Sequence, residues 1–255
     1  MIYIIAHDKF EPKNFYIDKT FDKELYSVFL TAGKHSKSES SINSFIKKIN
    51  EAGFNTEKEW EFNNYNKDLQ QRNFHAPSVF YHTHCNNFKF KNEFIGFMEY
   101  DLVLDPGSTS RYKEIISKHT GDRFIIFNSI KHTLNGLHRQ QDMTMQGERW
   151  LTFFINDYNQ RFDDNINIDD FLHENSEELI CTQQSFTCDI GTYKIIAKYV
   201  YNFISDFPNR SDYLPRPGSI LERFIGVLLY IVTKNYNNKY NLCLTHKHSS
   251  GGLYF

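Results

Sequence analysis

The sequence predicts a layered α/β protein built on one central sheet. Two short apolar runs, at residues 2–6 and 25–31, each pass directly into polar chain, which is the pattern of buried strands that feed loops. Between residues 41 and 52 apolar side chains recur at helical spacing, and residues 94–104 form the next predicted strand. A β, β, α, β order of this kind is typical of a sheet covered by helices.

The later part of the chain continues with apolar strands and amphipathic helices. Residues 124–127 (FIIF) form a short apolar run and predict a strand. The other predicted elements are a helix at 148–162, an acidic surface loop or short helix at 163–178, a helix at 190–204, irregular chain with three prolines at 207–218, a helix at 220–234 and a strand at 240–245. Because no repeat or linker divides the chain, we expect one domain with two lobes.

The composition narrows the class of protein. The chain has 255 residues, of which 40% are hydrophobic and 24% charged, and this is enough for one domain with a sizeable core. A net charge of −2 argues against a nucleic-acid or acidic-membrane partner. The four cysteines lack metal-binding spacing, and the longest apolar helix is shorter than the ~20 residues of a membrane span. With no signal-peptide pattern at the start, we expect a soluble cytoplasmic protein without a transmembrane segment.

The main candidate site lies where the strand at 94–104 runs out of apolar residues. Strand side chains alternate, so Glu99 and Asp101 are expected on one face, at the carboxyl end where open α/β sheets bind ligands. Two close carboxylates repel unless a cation or a proton lies between them, and such hard oxygen ligands suit Mg²⁺ or Mn²⁺. The alternative is a solvated acidic loop, in which Asp105 begins a turn with Pro106 and Gly107. Spacing alone leaves both possibilities open.

Two stretches carry a resemblance to a known family. FIGFMEYDLVL (94–104) and YLPRPGSILERFIGVLLYI (213–231), together with the first apolar strand and a late histidine, resemble glycosyltransferases of the GT-A type. They are similar in particular to polysaccharide glycosyltransferases of bacteria and large DNA viruses. The resemblance covers residues 1–8, 94–105 and 183–232. It departs from the family at Glu99, which stands in place of the first aspartate of an Asp-x-Asp motif.

The resemblance implies a fold, an activity and a location. The fold is a single GT-A-like, Rossmann-like domain over residues 1–255, with a mixed central sheet flanked by helices. Residues 1–128 are expected to form a nucleotide-sugar-binding lobe, and residues 129–255 an acceptor-binding lobe. The activity is metal-dependent transfer of a sugar from a UDP- or GDP-sugar donor to a hydroxyl of a glycan acceptor. The location is the cytoplasm, which for a viral protein is that of the host.

The resemblance also implies roles for the residues of the site. Asp101 is the expected principal ligand of a Mn²⁺ or Mg²⁺ ion, and Glu99 binds the ion through water or binds the ribose of the donor. His246 and His248 are expected to complete the ligands of the metal. The nucleobase or ribose is expected to contact the end of the first strand, namely Ala6, His7 and Asp8.

An inverting transferase also needs a base that deprotonates the acceptor hydroxyl. The resemblance implies an acidic residue beside the late helix, and the candidates are Glu222 and Asp212. From the residues alone, Glu222 has a second explanation. Ser219 and Glu222 fit a capping box, in which the glutamate bonds back to the N–H of the serine at the start of a helix. Both roles stay open.

Two other functions fit the same residues. A metal-dependent phosphoesterase or nuclease would use Glu99, Asp101 and Asp105 together with histidines. A non-catalytic carbohydrate-binding protein would use the aromatic surface that 16 Tyr and 24 Phe make possible. Two further hypotheses are a zinc site that begins with the two histidines of 82–85, on one face of a strand, and an acceptor pocket lined by the polar segment 183–187.

Overall fold

The computed structural model places eleven strands and nine helices in the part of the chain that it describes. The described residues are 1–6, 10, 12, 22–31, 39–100, 102–119, 123–127, 131–139, 150–181, 184–207, 217–242 and 244–246. The strands are β1 (Ile2–Ala6), β2 (Tyr26–Leu30), β3 (Asn55–Lys58), β4 (Phe94–Glu99), β5 (Leu102–Leu104), β6 (Phe124–Phe127), β7 (Lys131–Thr133), β8 (Leu179–Cys181), β9 (Phe186–Asp189), β10 (Asn238–Asn241) and β11 (Leu244–His246). The helices are α1 (Glu39–Glu51), α2 (Asp68–Gln71), α3 (Ser78–Cys85), α4 (Pro106–Lys118), α5 (Leu134–Arg139), α6 (Trp150–Phe162), α7 (Ile168–Asn175), α8 (Ile190–Asp206) and α9 (Pro217–Val232).

Seven of these strands form one mixed sheet. Their order across the sheet is β10-β6-β9-β4-β1-β2-β3. Neighbouring strands are parallel except around β9, which runs antiparallel to both β4 and β6. Two small antiparallel sheets pair β5 with β11 and β7 with β8. The predicted α/β class, with a mixed central sheet flanked by helices, is therefore confirmed.

Helices cover both faces of the sheet. Along β4, Ile95 and Phe97 belong to one core cluster, whereas Phe94 and Met98 belong to the other, as the two-residue period of a strand requires. Side chains of α3, α6, α8 and α9 complete the first cluster, and side chains of α1 and α4 contribute to the second. A fully buried aliphatic or aromatic side chain contributes about 1.5–3 kcal/mol, so these clusters hold the three layers together.

The antiparallel strand β9 lies in the middle of the sheet and depends on a glycine of its neighbour. Thr187 and Cys188 of β9 have no exposed surface. A Cβ atom at Gly96 of β4 would lie 2.5 Å from Oγ1 of Thr187 and 3.0 Å from Cγ1 of Ile2. Because strands β1 and β9 flank β4 on its two sides, a larger residue at position 96 has no direction in which to relax.

Two predicted strands are each divided in the structure. The prediction of one strand at 94–104 is wrong, because β4 ends at Glu99 and β5 starts at Leu102 in a different sheet. The predicted strand at 240–245 likewise divides into β10, which pairs with β6, and β11, which pairs with β5. The physical reason is the same in both cases: the chain leaves the large sheet and the two outgoing segments pair with each other.

The capping-box explanation of Glu222 is wrong. Helix α9 begins at Pro217, so Ser219 lies inside the helix and does not cap it. Proline suits the first helical position because it has no N–H that would need a partner. The N–H of Gly218 donates to the carbonyl of Asn73 at 3.1 Å. This bond holds the first turn of α9 against the segment that follows α2. Within the described ranges, α9 included, no helix combines the length and apolar character of a membrane span.

The histidines of 82–85 lie on α3 and not on a strand, so the geometry assumed for the zinc site is wrong. Helical residues two apart point in different directions. His82 is fully buried, its Nδ1 lies 2.5 Å from Oε1 of the fully buried Glu59, and its Nε2 accepts from the N–H of Asn66 at 2.9 Å. Since Nε2 accepts, Nδ1 carries the proton and donates to the carboxylate. Both ring nitrogens are thus used, and His82 has a structural role.

Gly96→Ala tests the packing around β9. The added methyl group is expected to lower the free energy of unfolding by about 1–3 kcal/mol, because the sheet must shift to accept it. Urea denaturation measures the change. Gly107→Ala is the matched control: in the first turn of α4, the one described atom that the new Cβ approaches within 4 Å is Oδ1 of Asp105, at 3.5 Å. The control is expected to be neutral or stabilising by up to about 1 kcal/mol. Equal stability of Gly96→Ala and the wild type would contradict the close packing of β4 between β1 and β9.

Candidate functional site

The site predicted from the sequence lies at one edge of the large sheet. Because β1, β2 and β4 are parallel, their carboxyl ends meet there: Ala6 pairs with Leu30, and Ile5 pairs with Glu99. The N–H of Thr31 donates to the carbonyl of Ala6 at 2.9 Å and joins the ends of β1 and β2. Ligands of open α/β sheets bind beyond such carboxyl ends. The structure thus brings Ala6 and Glu99 to one edge.

Glu99 is the last residue of β4 and is half-buried. Its N–H donates to Oγ of Ser185 at 3.3 Å, and its Oε1 oxygen is buried. Tyr100 follows in a turn, and Asp101 lies outside the described residues. Because β4 ends at Glu99, strand alternation no longer places Glu99 and Asp101 on one face. The association of the two carboxylates stays a prediction from the resemblance.

A second buried polar side chain belongs to a residue near the end of β4. The N–H of Glu99 donates to Oγ of Ser185, and Gln184 is the residue that precedes Ser185. Gln184 is 1% exposed, and within the described structure neither its Oε1 nor its Nε2 has a hydrogen-bond partner. Leaving a buried amide unpaired costs about 1–3 kcal/mol. An unpaired amide at the ligand-binding edge is a group that a bound ligand can satisfy.

The small sheet of β5 and β11 leads the end of the chain to the same place. His246 pairs with Leu102, the residue that directly follows Asp101 in the sequence, and Leu244 pairs with Leu104. This pairing brings the backbone of His246 to the acidic stretch. The side chain of His246 and the whole of His248 lie outside the described residues. Their part in metal binding stays a prediction.

Asp105 is a helix cap. Its side chain accepts from the N–H of Ser108 at 2.7 Å, and Pro106 occupies the first position of α4. The predicted Asp-Pro-Gly turn is therefore the start of a helix. The carboxylate of Asp105 is used by this cap, which weakens the phosphoesterase or nuclease hypothesis that counted it among the metal ligands.

One described carboxylate at this edge is of the type that hard divalent ions bind. Carboxylate oxygens such as those of Glu99 are the ligands that Mg²⁺ and Mn²⁺ prefer. Among the described residues, no group of three His, Cys, Asp or Glu side chains is placed to hold a metal. The predicted principal ligand, Asp101, is not among them. Glu99 thus supplies one suitable carboxylate, and the remaining ligands stay predictions.

The candidate bases are only partly within the described chain. Glu222 lies in the second turn of α9, half-buried and next to Arg223. Helix α9 packs against α6, α8 and β8. Asp212 lies outside the described residues, as do His7 and Asp8, the predicted nucleotide contacts after β1. The roles of these residues stay predictions.

The residues that the sequence analysis missed belong to β9. From the sequence, residues 183–187 are a polar segment ahead of a helix. In the structure, Phe186–Asp189 is a strand of the central sheet and Ser185 is fully buried. The sequence signal is a brief alternation in which Phe186 and Cys188 are buried apolar residues. Four residues are too few for the period to be distinguished from a loop, because α8 begins immediately afterwards with Asp189 as its cap.

Comparison with known proteins identifies the fold. No family model matches the sequence, and no curated protein matches it. Among solved structures, the WbbM bifunctional glycosyltransferase in its apo form matches with a TM-score of 0.53 and 13% identity over 100% of this chain. The chain spans 46% of the WbbM chain. The GT-A-like architecture implied by the sequence resemblance is thereby confirmed as a fold.

Two further structures match less well. S. aureus TarS in complex with UDP has a TM-score of 0.38 and 9% identity, over 95% of this chain and 58% of its own. The apo form of mouse xyloside xylosyltransferase 1 has a TM-score of 0.38 and 8% identity, over 98% of both chains. These TM-scores are too low to support a common fold, so the fold assignment rests on the similarity to WbbM.

Gln184→Met tests whether the buried amide is unpaired. Methionine has a similar size and no strong hydrogen-bonding group, so the variant is expected to raise the free energy of unfolding by about 1 kcal/mol. Gln70→Met is the matched control, because the buried amide of Gln70 donates to Oε2 of Glu59 at 3.3 Å and to Oγ of Ser78 at 2.8 Å. That control is expected to lose about 1–3 kcal/mol. Urea denaturation compares the two, and an equal loss in both would show that Gln184 has partners.

Proposed function

We propose that the chain is a glycosyltransferase that moves a sugar from a nucleotide-sugar donor to a hydroxyl of a glycan acceptor. The main support for the proposal is the position of the Glu99-Tyr100-Asp101 stretch, which begins at the carboxyl end of β4. The fold that contains this strand is similar to part of the WbbM glycosyltransferase. The pairing of His246 with Leu102 supports it, because it brings the predicted histidine segment to this stretch.

The chemistry of the reaction gives these residues their proposed tasks. When a nucleoside diphosphate leaves the sugar, negative charge develops on the phosphate oxygen, and the site must stabilise it. A Mg²⁺ or Mn²⁺ ion, when bound, supplies that stabilisation as a Lewis acid. Asp101 would be the principal ligand, with Glu99 on the ion or on the ribose, and His246 and His248 would complete the ligands.

The donor would bind along the carboxyl ends of the parallel strands. Ala6, whose side chain is buried, would contact the nucleobase or ribose through its backbone and through the adjoining His7 and Asp8. The unpaired amide of Gln184 would hydrogen-bond the donor and orient it.

The acceptor would be activated by a base from the second half of the chain. Glu222 is the better candidate within the described structure, since the capping role that competed with catalysis is excluded by the start of α9 at Pro217. Asp212 is the other candidate. The division into a donor lobe at 1–128 and an acceptor lobe at 129–255 stays part of the proposal, although β9 and β10 join the sheet of the first half.

Asp101→Asn tests the metal-dependent donor site. In the wild type, a UDP- or GDP-sugar is expected to raise the melting temperature only when Mn²⁺ is present. At a concentration about tenfold above Kd the stabilisation is about 1.4 kcal/mol, or about 3–6 °C for a chain of this size. Asparagine keeps the shape and removes the charge, so the shift is expected to vanish while the unliganded melting temperature stays the same.

The control for this experiment is Asp163→Asn. Asp163 is an exposed residue with a φ of 52° directly after α6, a conformation that asparagine also adopts, and its variant should keep the shift. An unchanged shift in Asp101→Asn would disprove the site assignment. Stabilisation by the metal without a nucleotide would favour a phosphoesterase or nuclease, and stabilisation by a glycan alone would favour a carbohydrate-binding protein.

Glu222→Gln tests the proposed base. Loss of a general base is expected to lower kcat by about 10²–10⁴-fold, while the donor-induced shift of the melting temperature is kept because donor binding uses other residues. Release of nucleoside diphosphate in the presence of a glycan acceptor measures kcat. Asp212→Asn is the parallel variant, and the variant with the larger loss identifies the base. Full activity of Glu222→Gln would exclude it from this role.

A further inference from the structure

A cavity of about 550 Å³ lies toward the amino end of β4, whereas the candidate site lies at the carboxyl end of that strand. Its walls are the end of α3, the segment that leads from α3 into β4, and the first half of α8. That segment precedes the amino end of β4, and α8 follows the carboxyl end of β9. Because β9 is antiparallel to β4, both walls join the sheet at the amino end of β4, away from Glu99.

The cavity shares no lining residue with the donor site proposed above. Its aromatic wall packs against the middle of β4, where the rings of Tyr193 and Phe97 lie 5.4 Å apart. The volume falls within the range of about 300–1,000 Å³ that is usual for small-molecule sites.

The charged residues that line the cavity are all basic. They are Lys89, Lys194 and Lys198, all exposed, and the half-buried His84 adds a ring nitrogen. The ion pairs in the described part of the chain do not involve these three lysines. Burial, and then the charge of Lys198, lowers the pKa of His84, so its imidazole is neutral near pH 7. Positive charge therefore collects here without a compensating acid among the lining residues.

Two acids, Asp189 and Glu93, lie close in the sequence to residues that line the cavity, and neither offsets the positive charge of the lysines. Asp189 caps α8 and accepts from the N–H and the hydroxyl of Thr192, at 3.0 and 2.7 Å. Glu93 is exposed, and its carbonyl accepts from the N–H of Ile190. Neither side chain lines the cavity.

Aromatic rings form the inner wall. The rings of Phe88 and Phe90 meet edge to face at 4.8 Å, and those of Phe90 and Tyr193 at 5.0 Å. Tyr193 is 4% exposed, and its hydroxyl is hydrogen-bonded to Oγ1 of Thr83. These contacts fix the rings. A rigid aromatic wall suits the C–H face of a sugar ring, and the lysines at the mouth suit an anionic substituent on that ring.

We propose that this cavity binds a small anionic sugar, in which a phosphate or carboxylate group pairs with Lys194 and Lys198 while the ring packs against the aromatic wall. The inference goes beyond the transferase function and does not depend on it, because the cavity shares none of the residues assigned to transfer. A sugar phosphate and a uronic acid present the same chemistry, and titration with each distinguishes them.

The test is an NMR titration of the whole chain with four probes: glucose 6-phosphate, glucuronate, glucose and inorganic phosphate. At least one of the two anionic sugars is expected to bind saturably, about tenfold or more tightly than glucose or inorganic phosphate, and to shift the amide signals of α8 and of 86–90. The double variant Lys194→Gln/Lys198→Gln is expected to weaken that binding by about tenfold or more, since it removes two charge-assisted contacts.

Lys47→Gln is the matched control. It neutralises an exposed lysine of α1, outside the cavity, and is expected to leave the binding unchanged. Thermal unfolding confirms that the variants stay folded, as expected for surface substitutions. Absence of saturable binding by either anionic sugar would overturn the proposal, and so would equal binding by the double variant. Equal affinity for inorganic phosphate and for the tighter-binding of the two anionic sugars would also overturn it, because the aromatic wall would then contribute nothing.

Discussion

The antiparallel insertion of β9 between β4 and β6 is the constraint on which the rest of the structure depends. This one strand hydrogen-bonds the parallel strands of the first half to β6 and β10, so without it the large sheet would be two pieces. The insertion needs close approach, and Gly96 permits it by leaving room for Thr187. The buried rings of Phe97 and Phe186, which lie 5.8 Å apart, then continue the core across the junction.

The reversed direction of β9 also organises the two ends of the sheet. Its start brings Ser185 and Gln184 to the carboxyl ends of β1 and β4, where Glu99 lies. Its end passes directly into α8 at the other edge, where Lys194 and Lys198 line the basic cavity. The candidate donor site and the cavity are therefore positioned by the same four residues. A parallel strand in that place would exchange the two ends.

Buried polar side chains of the described structure differ in whether their polar atoms have hydrogen-bond partners. The carboxylate of Glu59 accepts from His82 and from the amide nitrogen of Gln70, which also donates to Ser78, so within the described structure Oε1 is the polar atom of the Gln70 side chain that has no partner. The amide of Gln184 is equally buried, yet within the described structure neither of its polar atoms has a partner. A fold gains nothing from such a group by itself. Gln184 precedes Ser185, which bonds Glu99 at the carboxyl ends of the parallel strands, so under the proposed function the donor would supply the missing partner.

The sequence by itself determined the elements whose pattern of apolar residues is contained within one continuous segment. The apolar runs of β1 and β2, the apolar start of β4 and the helical spacing of α1, α6 and α8 could all be predicted, because buried strands are continuous apolar runs and amphipathic helices repeat an apolar face. Tertiary structure alone decided what depends on distant partners. Strand β9 is too short to show a period, the break after Glu99 exists because β5 pairs with β11, and the start of α9 at Pro217 is fixed by a bond to Asn73. The role of His82 was also decided by tertiary structure, because its partner Glu59 lies 23 residues away in the sequence. The residues that pack against a side chain set its role.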